Sequence, residues 1–523
     1  MSAIMAADMD IVTPPERTAI APATVSGSDA DRFDRAFERA AGAALTTRNA
    51  VRLLLDAEEN FPAWLAAIRG ARSYVLFESY IIADDHVGRE FMEALTQKAR
   101  DGVHVCVVYD WLGSTKFGRP WEALQAAGAD VRSFNPPSLD SPFAWLTRDH
   151  RKSIVVDGEI GFVSGLCVSA LWEGNPAKRL EPWRDTGVEI RGDAVVDLET
   201  AFRQVWAACG GEPLHLERSY VETAPGTVGV RVIAGLPSGA GTYRTDLLVA
   251  STARKTLWLT DAYFVATAAY TQALRAAARD GVDVRLLVPG ASDIPAVSLV
   301  SRSGYRGLLE AGVRVFEWNG TMLHAKTAVA DGAWSRVGST NLNVASWLSN
   351  YELDVAIEDA AFARQMAVQY EKDLACATEI VLTARNRVRR SEPRPEVEAE
   401  AGVRVRRAVS GSAGRAAAGA VSVGSALGAA LTNRRTLGPA EVGMLATMAV
   451  FMLGTATVAA IFPRIFAWPV ALVAAWIGIA WGFKAWRLWH GRSRAPLTPE
   501  NHREREEPAP AGEKESQADI IGS

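Results

Sequence analysis

Two pairs of residues in this chain have the types and the spacing to handle a phosphate. His150 and Lys152 open the stretch "HRKSIVVDGEIGFVSGLC", and His324 and Lys326 open "HAKTAVADGAWSRVGSTN". In an extended strand residues i and i+2 project to the same face, so each histidine stands beside its lysine. The ammonium balances charge on non-bridging oxygens while the imidazole reaches phosphorus or a leaving oxygen. With two imidazoles, one attacks phosphorus and the other protonates the leaving alcohol, after which the roles reverse. That chemistry requires no metal and no cofactor.

Each copy continues into small and polar residues. Ser164 and Gly165 follow the first pair, and Gly338, Ser339 and Asn341 follow the second. Hydroxyl, amide and backbone donors on such a turn are the expected phosphate cradle. The same register aligns "RDTGVEI" with "YELDVAI", which matches Asp185 to Glu352, each roughly 30 residues beyond its histidine. A carboxylate that accepts the second ring N–H fixes the tautomer, so these two are the expected orienting groups. Asp157 and Asp331 complete the His-Lys-Asp sets as catalytic candidates, and as the first residues of Asp-Gly turns they read equally well as turn formers. A single His-x-Lys means little; two copies with matched downstream residues are hard to attribute to packing.

The elements that must position these groups repeat as well. "ARSYVLFESYI" at Ala71 is answered by "ARKTLWLTDAYF" at Ala253, "LTQKARDGVHVCVVYD" by "LRAAARDGVDVRLLVPG", and "LQAAGADVRSF" by "LLEAGVRVFEW". Short apolar runs alternate with helical spacing from Val51 to about Leu382, an α/β pattern. A period of about 180 residues is too long for a solenoid. It predicts two homologous α/β halves, 41–220 and 221–385, packed around a pseudo-two-fold axis that gives a shared site one copy of each motif.

The remainder of the 523 residues is expected to lie outside the catalytic unit. Residues 1–40 read as a flexible leader, 386–440 as an Arg-rich linker with a surface helix, and 485–523 as a charged tail. Between them Val442–Phe462 carries no charge over 21 residues, and Phe466–Phe483 is apolar with Trp468 and Trp481 near its ends. At 1.5 Å per residue the first run crosses roughly 30 Å of hydrocarbon, and the pair predicts a C-terminal transmembrane hairpin over 441–484. The competing reading makes these runs buried core helices. Arg434 and Arg435 before the hairpin, and Lys484, Arg487, Arg492 and Arg494 after it, place both flanks and the α/β part in the cytoplasm. A net charge of -4 supplies no global field for a polyanion, so nucleic acid is not an expected partner. The four cysteines are scattered without a CxxC pair, which fits neither a zinc site nor a disulfide framework.

At the two HxKxxxxD motifs and their Gly/Ser/Asn elements the sequence resembles the phospholipase D superfamily. Within it, "ESYIIADDHVGREF", "YDWLGS", "WRDTGVEI", "DAYF" and "VGSTNLNVASWLSNYELDVAI" are similar to bacterial cardiolipin synthases of the two-motif type, over about residues 50 to 385. The resemblance implies phosphatidyl transfer at a bacterial inner membrane. One phosphatidylglycerol donates its phosphatidyl group to a histidine, His150 by analogy, a second supplies the accepting hydroxyl, and His324 serves as acid and base. The chain departs from the pattern at Ser164, where Gly is usual, at Cys167, where Asn stands in the second copy, and in carrying its hairpin at the C-terminal end. A phospholipase D-type hydrolase, a nuclease and a non-catalytic scaffold remain the alternatives, and the oligomeric state is open.

Overall fold

The computed structural model describes residues 29–391 apart from 116–118, 139–145, 176–180, 217–225 and 383–387, together with scattered positions between 453 and 486. The chain enters through α1 (Asp29–Ala41). The first half then runs β1 (Thr46–Leu55), α2 (Asp56–Gly70), β2 (Tyr74–Ser79), α3 (His86–Arg100), β3 (His104–Asp110), α4 (Arg119–Ala126), β4 (Asp130–Phe134), β5 (Lys152–Val156), β6 (Ile160–Ser164), α5 (Ala170–Glu173), β7 (Thr186–Gly192) and α6 (Ala194–Ala208). The second half repeats it as β8 (Val228–Gly235), α7 (Gly241–Thr252), β9 (Thr256–Thr260), α8 (Ala268–Arg279), β10 (Asp283–Pro289), α9 (Pro295–Leu309), β11 (Arg314–Trp318), β12 (Thr327–Ala330), β13 (Trp334–Gly338), α10 (Val344–Leu348), β14 (Glu352–Glu358) and α11 (Ala360–Ala375), and adds β15 (Ala377–Leu382) and β16 (Val388–Arg390).

Among the described residues these strands form one continuous sheet in the order β16-β15-β11-β10-β9-β12-β13-β14-β8-β1-β7-β6-β5-β2-β3-β4. The order reads 1-7-6-5-2-3-4 outward in one direction from the β1–β8 seam and 8-14-13-12-9-10-11 in the other, so the internal repeat is a repeat of topology. Within each half the strands alternating with helices are parallel, β2-β3-β4 and β9-β10-β11, and the remaining pairs are antiparallel. Strand β2 is buried at every position, as expected of a strand covered on both faces.

Helices α2 and α3 cover one face of the first half with a core that joins Phe61, Trp64 and Phe91 to Phe77 of β2. On the opposite face Phe202 and Val205 of α6 share a cluster with Phe362 and Met366 of α11 and with Val188, Val230, Val232 and Val355. That cluster crosses the seam, so the two halves bury apolar surface against one another and form one compact unit.

The structure differs from the sequence reading at two margins. The expected leader ends in the ordered helix α1, whose Phe37 packs against Trp334 and whose Asp34 pairs with the buried Arg231 of β8. The expected linker contributes β16, which extends the sheet by pairing with β15. The transmembrane hairpin falls largely outside the described residues. Among those described, no helix is long and apolar enough to cross a membrane.

Candidate active site

Both His-x-Lys motifs sit where their strands meet the C-terminal ends of the parallel ones. Lys152 begins β5 opposite Ser79, the last residue of β2, and Thr327 begins β12 opposite Thr260, the last residue of β9. The segments just before β5 and β12 leave their own halves. Asp149 forms a parallel bridge with Tyr351, and Leu323 forms one with Arg184. His150 N–H donates to the Tyr351 carbonyl at 2.9 Å, and His324 N–H to the Arg184 carbonyl at 2.7 Å. Each histidine is thereby laid beside the residue that precedes the other half's carboxylate.

The consequence is a crossed pair. His150 Nδ1 lies 2.9 Å from Glu352 Oε2, and His324 Nδ1 lies 2.8 Å from Asp185 Oδ2. The sequence reading selected these carboxylates but counted each from the histidine of its own half. Both carboxylates are fully engaged. Asp185 also accepts from Trp172 Nε1 and from Thr186 N–H, each at 2.8 Å, while Glu352 accepts from Ser339 Oγ at 2.6 Å and Asn350 Nδ2 at 3.3 Å.

The residues expected to cradle phosphate divide accordingly. Ser339 is turned onto Glu352. At Gly165, its counterpart in the first copy, a Cβ would lie 2.2 Å from Asp185 Oδ1, so only glycine leaves room for the carboxylate there. A Cβ at Gly338 would meet Asp354 Oδ1 at 2.3 Å. Ser164 is buried, with its hydroxyl near the Leu166 carbonyl. Ser339 and Gly165 thus serve the orienting carboxylates, whereas Gly338 makes room for Asp354 and Ser164 faces backbone. Asn341 borders the cleft between the histidines, as does Cys167. The Asn341 amide nitrogen is 3.5 Å from Ser346 Oγ, and its carbonyl oxygen has no partner among the described residues.

Asp157 and Asp331 are not at the site, which corrects their assignment as catalytic. Each follows the far end of the strand that begins near its lysine, some five residues or ~16 Å away. Both turn with positive φ, 54° and 52°. The Asp157 carboxylate accepts the backbone N–H groups of Arg72, Ser73 and Tyr74, and Asp331 accepts those of Arg254, Lys255 and Thr256. They clamp the entry to β2 and β9.

Lys152 and Lys326 each donate to the carbonyl of their own histidine. Lys326 Nζ also lies 3.0 Å from the ring of His324. Aromatic rings close the walls. Tyr80 stands edge-on to His150 and beneath Lys152, Tyr263 takes the same place beside His324 and Lys326, and Trp172 and Trp183 flank His324. The sequence reading missed these rings as site residues. The repeated Tyr of "ESY" and "DAY" was the available signal. Together they line an open cleft of about 70 Å³ between the two histidines.

Burial sets the protonation states. It holds His150 below the ordinary imidazole value, and together with Lys326 it pushes His324 down to about 3, in each case against the facing carboxylate. Burial also lowers Lys326 to about 8. For Asp185 and Glu352 burial acts upward, but the facing histidine and the nearby lysine outweigh it and both stay below the usual carboxylate range. The resting site therefore holds ionised carboxylates and neutral imidazoles with Nδ1–H directed at them, and His324 Nε2 faces Lys326 Nζ at 3.0 Å.

A cardiolipin synthase A of Pseudomonas aeruginosa is 35% identical over 368 residues, which span 69% of this chain and 73% of that relative. The chain belongs to the cardiolipin synthase family. The family profile described as "Cardiolipin synthase, PLD-like domain" matches residues 249–374, the core of the second half. A cardiolipin synthase of Alkalihalophilus pseudofirmus is 34% identical over 63% of this chain and 67% of its own length. Among solved structures, a phosphatidylserine synthase of Haemophilus influenzae has the same fold at a TM-score of 0.53 and 15% identity, over 66% of this chain and 92% of that one. The phospholipase D-like α/β fold and membership of the cardiolipin synthase family agree with the resemblance read from the motifs.

Proposed function

We propose that this protein is a phosphatidyltransferase of the cardiolipin synthase type, in which His150 carries the phosphatidyl group between two molecules of phosphatidylglycerol. The crossed histidine–carboxylate pairs on one cleft are the observation that carries the reading, and the family relationship supports it. His150 Nε2 attacks phosphorus as the bond to the departing glycerol oxygen breaks, and His324, as imidazolium, protonates that oxygen. The hydroxyl of the second lipid then attacks phosphorus, gives its proton to His324, and returns the P–N electron pair to His150. The sum is two phosphatidylglycerols converted to cardiolipin and glycerol.

Glu352 and Asp185 are positioning residues in this scheme. They hold Nδ1–H and stabilise positive charge on the ring. His324 takes its proton from solvent as the substrate binds, because a phosphate anion beside the ring opposes the effects of burial and Lys326. Lys152 and Lys326 balance the charge on the non-bridging oxygens, and Asn341 supplies an amide donor.

The substrate lipids and the C-terminal apolar runs support a membrane-bound enzyme, with the hairpin over 441–484 inserted and the catalytic unit in the cytoplasm. Supporting this, the described helical positions in those runs carry exposed large apolar side chains, among them Leu453, Ile461, Leu472 and Trp481. Purified enzyme in vesicles of labelled phosphatidylglycerol tests the reading. Label in cardiolipin supports it, whereas label in phosphatidic acid alone replaces it with a hydrolase.

A further inference from the structure

The pseudo-symmetry of the site is broken at one charged position. Arg148 stands two residues before His150 in the same extended segment, so its side chain leaves the chain on the same side, with the Cα atoms ~6.6 Å apart. Its side chain is 6% exposed, and its Nη1 donates to the buried Asp110 Oδ1 at 3.0 Å. The other edge of the guanidinium, Nε and Nη2, is buried and meets no acceptor among the described residues. Asp110 does not supply one: its Oδ1 receives Nη1 and the N–H groups of Leu112 and Gly113, and its Oδ2 receives that of Asp149.

The second half folds without this pair. The repeat places Met322 at the position of Arg148 and Pro289, the last residue of β10, at that of Asp110. Met322 is as buried as Arg148. A half of this fold therefore has no need of the ion pair, which leaves function as the reason for a buried cation with one unfilled edge. Arg148 also borders the catalytic cleft, and apart from the histidines it is the only basic residue among the described residues that does.

We propose that Arg148 is the binding site for the phosphodiester of the accepting lipid. This rests on the transferase reading above. In the transferase reading the reacting phosphate is served by Lys152 and Lys326, which stand behind the cleft wall, each against its own histidine. An accepting phosphatidylglycerol brings a second phosphodiester anion into the same cleft, one three-carbon glycerol away from the attacking hydroxyl. The separation of Arg148 from His150 along the strand is of that size. Two parallel N–H groups on the Nε–Nη2 edge match two phosphate oxygens, which a lysine ammonium cannot do.

The test uses the partition of the phosphohistidine, a ratio that neither the amount of folded enzyme nor the rate of the first step affects. Full-length enzyme is given labelled phosphatidylglycerol in mixed micelles with ethanol, and cardiolipin and phosphatidylethanol are counted together. Arg148→Lys keeps the charge beside Asp110 and loses the fork; Asp110→Asn with Arg148→Met removes both charges and leaves no unpaired carboxylate. Each is expected to lower the cardiolipin-to-phosphatidylethanol ratio about tenfold or more, since only the lipid acceptor carries the anion. An unchanged ratio overturns the proposal. So does loss of both products in both variants, which would mean that the arginine serves the reacting phosphate. A wild-type enzyme that forms neither product sinks the transferase reading, a separate failure.

Discussion

His150 Nδ1 and the carboxylate of Glu352 are 2.9 Å apart in space and 202 residues apart in the chain. The second pair, His324 with Asp185, spans the same seam in the opposite sense. Neither half can orient its own histidine, so catalytic competence requires both halves to be folded and docked.

Crossing predicts which step each carboxylate controls. Glu352→Gln leaves His150 in the wrong tautomer and is expected to slow turnover about a hundredfold or more, with no phosphohistidine trapped on acid quenching of labelled enzyme. Asp185→Asn acts through His324, the acid of the first step and the base of the second, and is expected to slow turnover comparably; with a donor whose leaving group needs no proton, this variant still forms the phosphohistidine and lets it accumulate. Trapped label in the Glu352 variant and none in the Asp185 variant would reverse the assigned roles.

Asp157 and Asp331 are predicted to matter for stability and not for chemistry. Asp157→Ala withdraws the acceptor of three backbone N–H groups, one of them fully buried at Tyr74. The expected cost is about 1–3 kcal/mol of stability, seen as a lower thermal midpoint, with kcat per folded molecule close to that of the parent. A folded, inactive Asp157→Asn would restore the residue to the catalytic set.

The pH dependence follows from Lys326. Burial brings its ammonium down to about 8, so it is charged below that pH and neutral above. Loss of the charge withdraws a cation from the phosphate, and kcat/KM is expected to fall as pH rises through about 8. Lys326→Arg, which stays charged, should remove that descending limb even if the rate is lower throughout. A profile flat to pH 10 in the parent enzyme would contradict the assignment.

The two copies are unequal around the phosphate, because the cleft offers an amide at Asn341 and a thiol at Cys167. Burial raises the Cys167 thiol, so it is not an anion, and a thiol is a weak donor. Asn341→Cys is expected to cost about 2–4 kcal/mol of transition-state stabilisation, roughly 30- to 1,000-fold in rate. Cys167→Ser should change little. Kinetics of the two variants side by side decide whether the second copy bears the load.

For the C-terminal region, a reporter fused after Ser523 is expected to behave as cytoplasmic and one inserted at Arg464 as external. An external C-terminal reporter would overturn the hairpin reading.

Much of the site could be read from the chain because its signals are local. Strand geometry alone puts His150 beside Lys152 and His324 beside Lys326, and a repeat visible in apolar runs announces two α/β halves. The carboxylates could be picked by register, since Asp185 and Glu352 occupy equivalent places where β7 and β14 begin. What no local pattern contains is the partner of each. That was decided by the β1–β8 seam and by the short parallel bridges of Asp149 with Tyr351 and of Leu323 with Arg184, contacts between residues far apart in sequence that exist only once both halves share a core. The same holds for Asp157 and Asp331. Their fixed spacing from the lysines suggested chemistry, yet five extended residues carry a side chain ~16 Å from its starting point, and only the folded sheet brings three backbone N–H groups to meet them there.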